Sequence, residues 1–190
     1  MSNTAIAQAA ARPRLSLKIQ TLAAAAAVVG AVAVPQLFHV MGAVSGLGTA
    51  LGETFLPMHL PIILVGLLAG PWAGAVSGLL GPLVSFLLSG MPKAAVLPFM
   101  MIELCAYGLF AGLLRGVKLP TIGKVIGAQA AGRLVRAAAV LLAVYAFGSS
   151  SVRVASIWMS LAAGLPGLVL QWGLLPLVVY RVENRSRHEN

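Results

Sequence analysis

Residues 53–103 run ETFLPMHLPIILVGLLAGPWAGAVSGLLGPLVSFLLSGMPKAAVLPFMMIE, an almost wholly apolar stretch that Pro and Gly interrupt repeatedly. In the interior of a soluble helix each such Gly costs about 1 kcal/mol and each Pro about 3 kcal/mol. Within a bilayer the same breaks survive where neighbouring helices or a cavity satisfy the backbone groups they free. The unusual side chains gather towards the ends, Glu53 and His59 at one, Lys93 and Glu103 at the other. The stretch predicts a membrane bundle with a polar pocket near one face.

Composition removes the soluble alternative. The chain is 59% hydrophobic and only 9% charged, whereas soluble domains carry about 25% charge. At about 20 residues per crossing, the length suits one domain of about five to seven spans. A net charge of +9 could signal nucleic acid, but the basic residues form no patch interleaved with aromatics. They sit in the tails and one loop, as topology signals and contacts to anionic membrane lipid do. The single cysteine, Cys105, allows no intrachain disulfide. Its apolar surroundings suit a small buried hydrophobe better than a nucleophile.

The expected fold is an all-α integral membrane protein, a six-helix transmembrane bundle over residues 16–181. It is flanked by tails at 1–15 and 182–190. A first span over 15–34 ends at Pro35; its length argues against the rival reading as a cleaved leader. Residues 36–56, with Gln36, His39, Ser45, Thr49 and Glu53, are too polar and Gly-rich for a lipid-facing span. They predict an outer loop that folds back over the bundle. Further helices are expected at 57–70, 72–88, 97–114, 125–147 and 156–180. Arg12, Arg14, Lys18, Arg115, Lys118, Lys124, Arg181, Arg185 and Arg187 then fall on one side, against Lys93 and Arg153 on the other. The excess of Lys and Arg places both termini in the cytoplasm.

Small residues mark packing. Ala23, Ala27 and Ala31 repeat every four residues and share one helix face. Such a stripe serves either close helix packing within the bundle or docking of a separate membrane partner. Gly66, Gly70, Gly74 and Gly78 repeat likewise across a Gly-Pro turn, and predict that the second and third helices cross tightly.

Charges within the spans need a reason, since each costs about 2.5–3.5 kcal/mol at the bilayer centre on insertion scales. Glu103 sits ~9 Å below the outer end of its helix and Arg136 ~17 Å below the end of its own, at 1.5 Å per residue. Side-chain reach closes that gap, so a Glu103–Arg136 pair is expected, with Arg133, a turn deeper, the alternative partner. The pair is either a lock between two helices or part of a site in which one arginine stays available to an anionic or strongly polar ligand. Tyr107, Trp158 and Gln171 are candidates for the remaining contacts, because a small-molecule pocket combines an aromatic wall with a few polar groups. Trp158 near the outer boundary also suits an interface anchor. His39, Glu53 and His59 match no metal-ligand spacing, neither HExxH nor CxxC. Gating or pocket-lining suits the two histidines, and helix capping suits Glu53.

The block FLPMHLPIILVGLLAGPWAGAVSGLLGPLVSFLLSGMP, followed by LPFMMIELCAYGLFAGLLR, resembles the substrate-binding S components of energy-coupling factor (ECF) vitamin transporters. The closest likeness is to the broad group that includes pantothenate-type members. It covers roughly residues 20–180, and PMHLP and SGMP are its most specific parts. It implies six helices, a pocket toward the extracellular side, and a partner module of one transmembrane coupling protein and two ATPases. Ala23, Ala27 and Ala31 are similar to the family's AxxxA stripe for docking on the coupling protein. The family's loops after helices one and three close over the substrate, which makes His39, His59 and Met91 candidate gate or pocket positions.

The expected function is therefore capture of a small water-soluble vitamin or precursor, pantothenate or a cobalamin-related compound among them, in the bacterial cytoplasmic (inner) membrane. Candidate substrate-binding residues are His39, His59, Met91, Glu103, Tyr107, Arg133, Arg136, Trp158 and Gln171. No catalysis, resident cofactor, metal or nucleic acid is expected. The chain has no Walker motif, so ATP hydrolysis falls to another chain. The rivals are an intramembrane enzyme using Glu103, His39 and His59, and a standalone facilitator or assembly subunit.

Overall fold

A computed structural model of the chain describes residues 15–188. Among these, the regular elements are α1 (Leu17–Val44), α2 (Ala50–Phe55), α3 (His59–Ala69), α4 (Pro71–Ser89), α5 (Leu97–Leu114), α6 (Thr121–Tyr145) and α7 (Ala155–His188). Six units are long and apolar enough to cross a membrane, α2 and α3 together making the second of them, Ala50–Ala69. Six crossings bring the chain back to the end at which it started. That is the terminal end; the α1–α2, α4–α5 and α6–α7 connections lie at the distal end. The expected tail at 1–15 lies outside the described residues except for Leu15, as do 189–190 of the expected C-terminal tail. The preceding part of that tail continues α7.

Local chemistry sets several boundaries. The Ser16 hydroxyl accepts from the Ile19 amide at 3.4 Å and caps α1. Gly70 turns the chain between α3 and α4 at φ 117°, open to a residue without Cβ, and Pro71 then starts α4 with its ring pre-set for a first helical turn. The expected helix at 97–114 is found at those bounds, with Pro98 in its first turn.

The first crossing differs from expectation. α1 passes straight through Pro35 to Val44, so residues 36–44 are helix rather than loop. Pro35 is buried in the bundle; a membrane helix tolerates the lost amide where neighbours pack against it. The expected loop at 36–56 thus shrinks to a turn, in which Gly48 donates its amide to the Gly42 carbonyl at 3.0 Å, followed by the short α2. Phe38 and Phe55, with ring centroids 5.7 Å apart, tie α2 to α1.

α3 is the axis of the bundle, touching α1, α4, α5 and α7, while α4, α5, α6 and α7 pack in sequence around it. Its Ile62, Ile63 and Leu67 join Leu104, Tyr107 and Ala111 of α5, Val125 and Ala128 of α6 and Leu175 of α7 in the main core. The glycine repeat has a different partner from the one expected. Gly66 and Gly74 face the Gly108 carbonyl of α5, and Gly78 faces the Leu104 carbonyl. The glycines of α3 and α4 therefore admit α5 rather than each other, backbone against backbone.

The Ala stripe of α1 also turns inward. Ala27 packs with Val65, Ala69 and Ala73, and Ala31 lies beside Gly81 of α4, while Ala23 is half-buried at the edge of the same cluster. Ala27 and Ala31 thus pack inside the bundle, and Ala23 keeps part of its surface open. The outward face of α1 carries Leu22, Val29 and Leu37, all well exposed, as a lipid-facing surface requires.

Candidate functional site

Three elements bring ionisable groups to one level. At 1.5 Å per residue, His59 stands about 15 Å, Glu103 about 17 Å and Arg133 about 18 Å above the terminal ends of their helices, close to mid-bilayer. Glu103 is fully buried and receives both arginines: Arg136 Nη1 lies 2.7 Å from Oε2 and Arg133 Nη1 lies 3.0 Å from Oε1. The Tyr107 hydroxyl donates to Oε1 at 2.9 Å from the next turn of α5. The expected Glu103–Arg136 pair is thus found, and Arg133 joins it. Gly132 gives the Tyr107 ring its space, since a Cβ there would overlap the ring.

The carboxylate does not use up its partners. Arg133 Nε and Nη2 and Arg136 Nε are buried with no hydrogen bond, and so are both ring nitrogens of His59. His59 belongs to this group and not to the outer face expected for it. Its ring centroid stands 5.1 Å from that of Tyr107. The reason is the break in the second crossing. α2 descends from the distal end and stops at Leu56, whose φ of 49° ends the helix, and α3 restarts at mid-depth with His59 in its first turn. A side chain with Cβ pays about 1–2 kcal/mol for that conformation.

A polar relay supports the break. The Leu56 carbonyl accepts from the His59 amide at 3.0 Å and from Gln171 Nε2 at 3.3 Å. Gln171 Oε1 in turn accepts from Gln129 Nε2 at 2.9 Å, and Gln129 Oε1 accepts from Trp172 Nε1 at 2.7 Å. Gln171 therefore serves the backbone. Replacing it with Leu should lower stability in detergent by about 1–3 kcal/mol, since the buried Gln129 amide loses its acceptor and the Leu56 carbonyl keeps only the His59 amide; a thermal melt of the purified variant checks this. Gln129, absent from the expected site, had a readable signal: Gln129, Arg133 and Arg136 share one face of an otherwise apolar helix at spacings of four and three.

Above this level, a cleft of about 350 Å³ lies at the distal ends of α5, α6 and α7. Arg136, Arg153, Ser151, Ser156, Phe99 and Met159 are among its lining residues. The arginine that holds Glu103 is therefore also part of the cleft wall. His39, half-buried near Gly52 of α2, and Met91, half-buried in the α4–α5 connection, do not line this cleft. Trp158 is exposed on the outside of α7, as an interface anchor would be. Among the described residues no three of His, Cys, Asp and Glu come together in a metal-binding group.

An all-helical bundle of six crossings long and apolar enough to span a membrane defines a multi-pass membrane protein. A family model for the substrate-specific component of ECF transporters matches residues 16–179, and the chain belongs to that family. It is a transport subunit, not an enzyme. No curated protein and no solved structure matches it.

Proposed function

We propose that this subunit captures a small water-soluble vitamin or vitamin precursor for an ATP-driven importer in a bacterial cytoplasmic membrane. Pantothenate and a cobalamin-related precursor belong to that class of solute. A transmembrane coupling protein and two ATPase subunits complete the machine and supply its energy. Both termini face the cytoplasm, following the excess of Lys and Arg at the terminal end. The distal cleft then opens outward, where the solute is met.

The observation that carries this reading is the placement of Arg136: two arginines converge on the single carboxylate of Glu103, and Arg136 is also a wall of the distal cleft. Two cations on one anion leave a net positive charge beside that cleft, which favours a solute with an anionic or strongly polar group. The test is purification from the native host in mild detergent. Co-purification of two ATPases and a coupling protein, with a retained small molecule in native mass spectrometry, is the expected result. A chain that reproducibly comes out without ATPase subunits would count against the importer.

A further inference from the structure

We infer that the solute carries a carboxylate, bound in the distal cleft by Arg136, with Arg153 as a second positive charge in its lining. This rests on the transport reading above and names the chemical class of the ligand.

Glu103 Oε2 holds Nη1 of Arg136 at 2.7 Å, and the same arginine is a wall of the cleft. A guanidinium offers its donors in a flat fork matched to the two oxygens of a carboxylate. Arg136 therefore serves two acids from different sides, the protein's own glutamate below and the ligand above. Arg153 is exposed and also lines the cleft. Ala155 and Ser156, the first residues of α7, line it too, so the partial positive charge of a helix N-terminus adds to the two side chains. No acidic residue is among the lining groups.

The rest of the wall sets the body of the ligand. Val96, Phe99, Val140 and Met159 offer apolar surface, with the Ser151 and Ser156 hydroxyls as the uncharged polar groups. A cleft of about 350 Å³ admits a solute of vitamin size. A carboxylate on a compact, partly apolar skeleton fits it.

The test uses matched pairs of probes on the full chain in detergent: pantothenate against pantothenol, and nicotinate against nicotinamide, with inorganic phosphate as a third anion. At least one acid should bind at least tenfold more tightly than its neutral partner. Arg136→Gln should abolish that preference. Should Arg136→Gln fail to fold, Arg153→Gln, altering an exposed side chain, should weaken the acid several-fold and flatten the dependence of binding on salt. Lys93→Gln, which removes an exposed distal cation that does not line the cleft, should change nothing. A neutral partner that binds as well as its acid overturns the inference. So does an acid indifferent to both arginine substitutions, phosphate binding in place of either acid, or silence from both acids. Co-purification of the ATPases is scored separately, so an importer without a carboxylate preference is distinguishable from a chain that is no importer.

Discussion

Glu103→Gln should destabilise the bundle by about 3–5 kcal/mol, the usual result of leaving a buried charge uncompensated. The substitution keeps the shape of the side chain but leaves Arg133 and Arg136, each mostly buried, facing one another without an anion. The Tyr107 hydroxyl retains an oxygen acceptor, so the loss reports charge more than hydrogen bonding. Removing the whole cluster separates the two effects: with Glu103, Arg133 and Arg136 all replaced by Leu, stability should return close to the starting value or exceed it. The triple variant should then fold and bind no solute. Thermal or denaturant unfolding in detergent reads both variants. A Glu103→Gln protein as stable as the parent would mean that the arginines find water or lipid headgroups.

Gly108→Val should yield no folded protein. A Cβ at residue 108 would overlap the backbone of Gly74, and one at residue 74 would overlap that of Gly108. Side-chain rotation cannot relieve a clash between two main chains, so α4 and α5 would have to separate along their shared face. Van der Waals packing of close backbones is the chief attraction between helices in lipid, and separation forfeits it. Gly173→Ala is the control: its Cβ would meet nothing within 4 Å, and alanine is the better helix former by about 1 kcal/mol. Size-exclusion profiles of the two detergent-extracted variants should show no monodisperse peak for the first and a normal peak for the second.

Much of this was legible in the sequence because lipid imposes few options. A run apolar but for Glu103 places α5 at its observed bounds, between a loop containing Pro92 and the basic residue Arg115. Charges within a span must find each other, which pointed to Glu103 pairing with Arg136 or Arg133; the carboxylate takes both. What failed was the use of Pro and Gly as punctuation. Pro35 does not stop α1, because neighbours pack around it. Leu56 does break the second crossing, although nothing in its residue type announces a left-handed conformation. That break moved His59 from the surface to mid-depth. The glycine repeat predicted a close crossing, but a repeat names a face and not the helix that meets it, so α5 went unrecognised as the partner. Lys124 reads as a topology signal in the sequence, yet it is buried and donates to the Arg115 carbonyl at 2.9 Å, closing the end of α5.

The tether between Gln171 and Leu56 limits how the distal half can rearrange. Were α2 to swing away by itself, it would strip an amide from a main-chain oxygen in greasy surroundings, a penalty of about 1–3 kcal/mol for every opening. Gly167 strengthens the link, since its missing side chain lets the last residues of α2 rest directly on the α7 backbone. Displacing the short helix by itself therefore breaks both the Gln171 bond and this backbone packing against the final crossing.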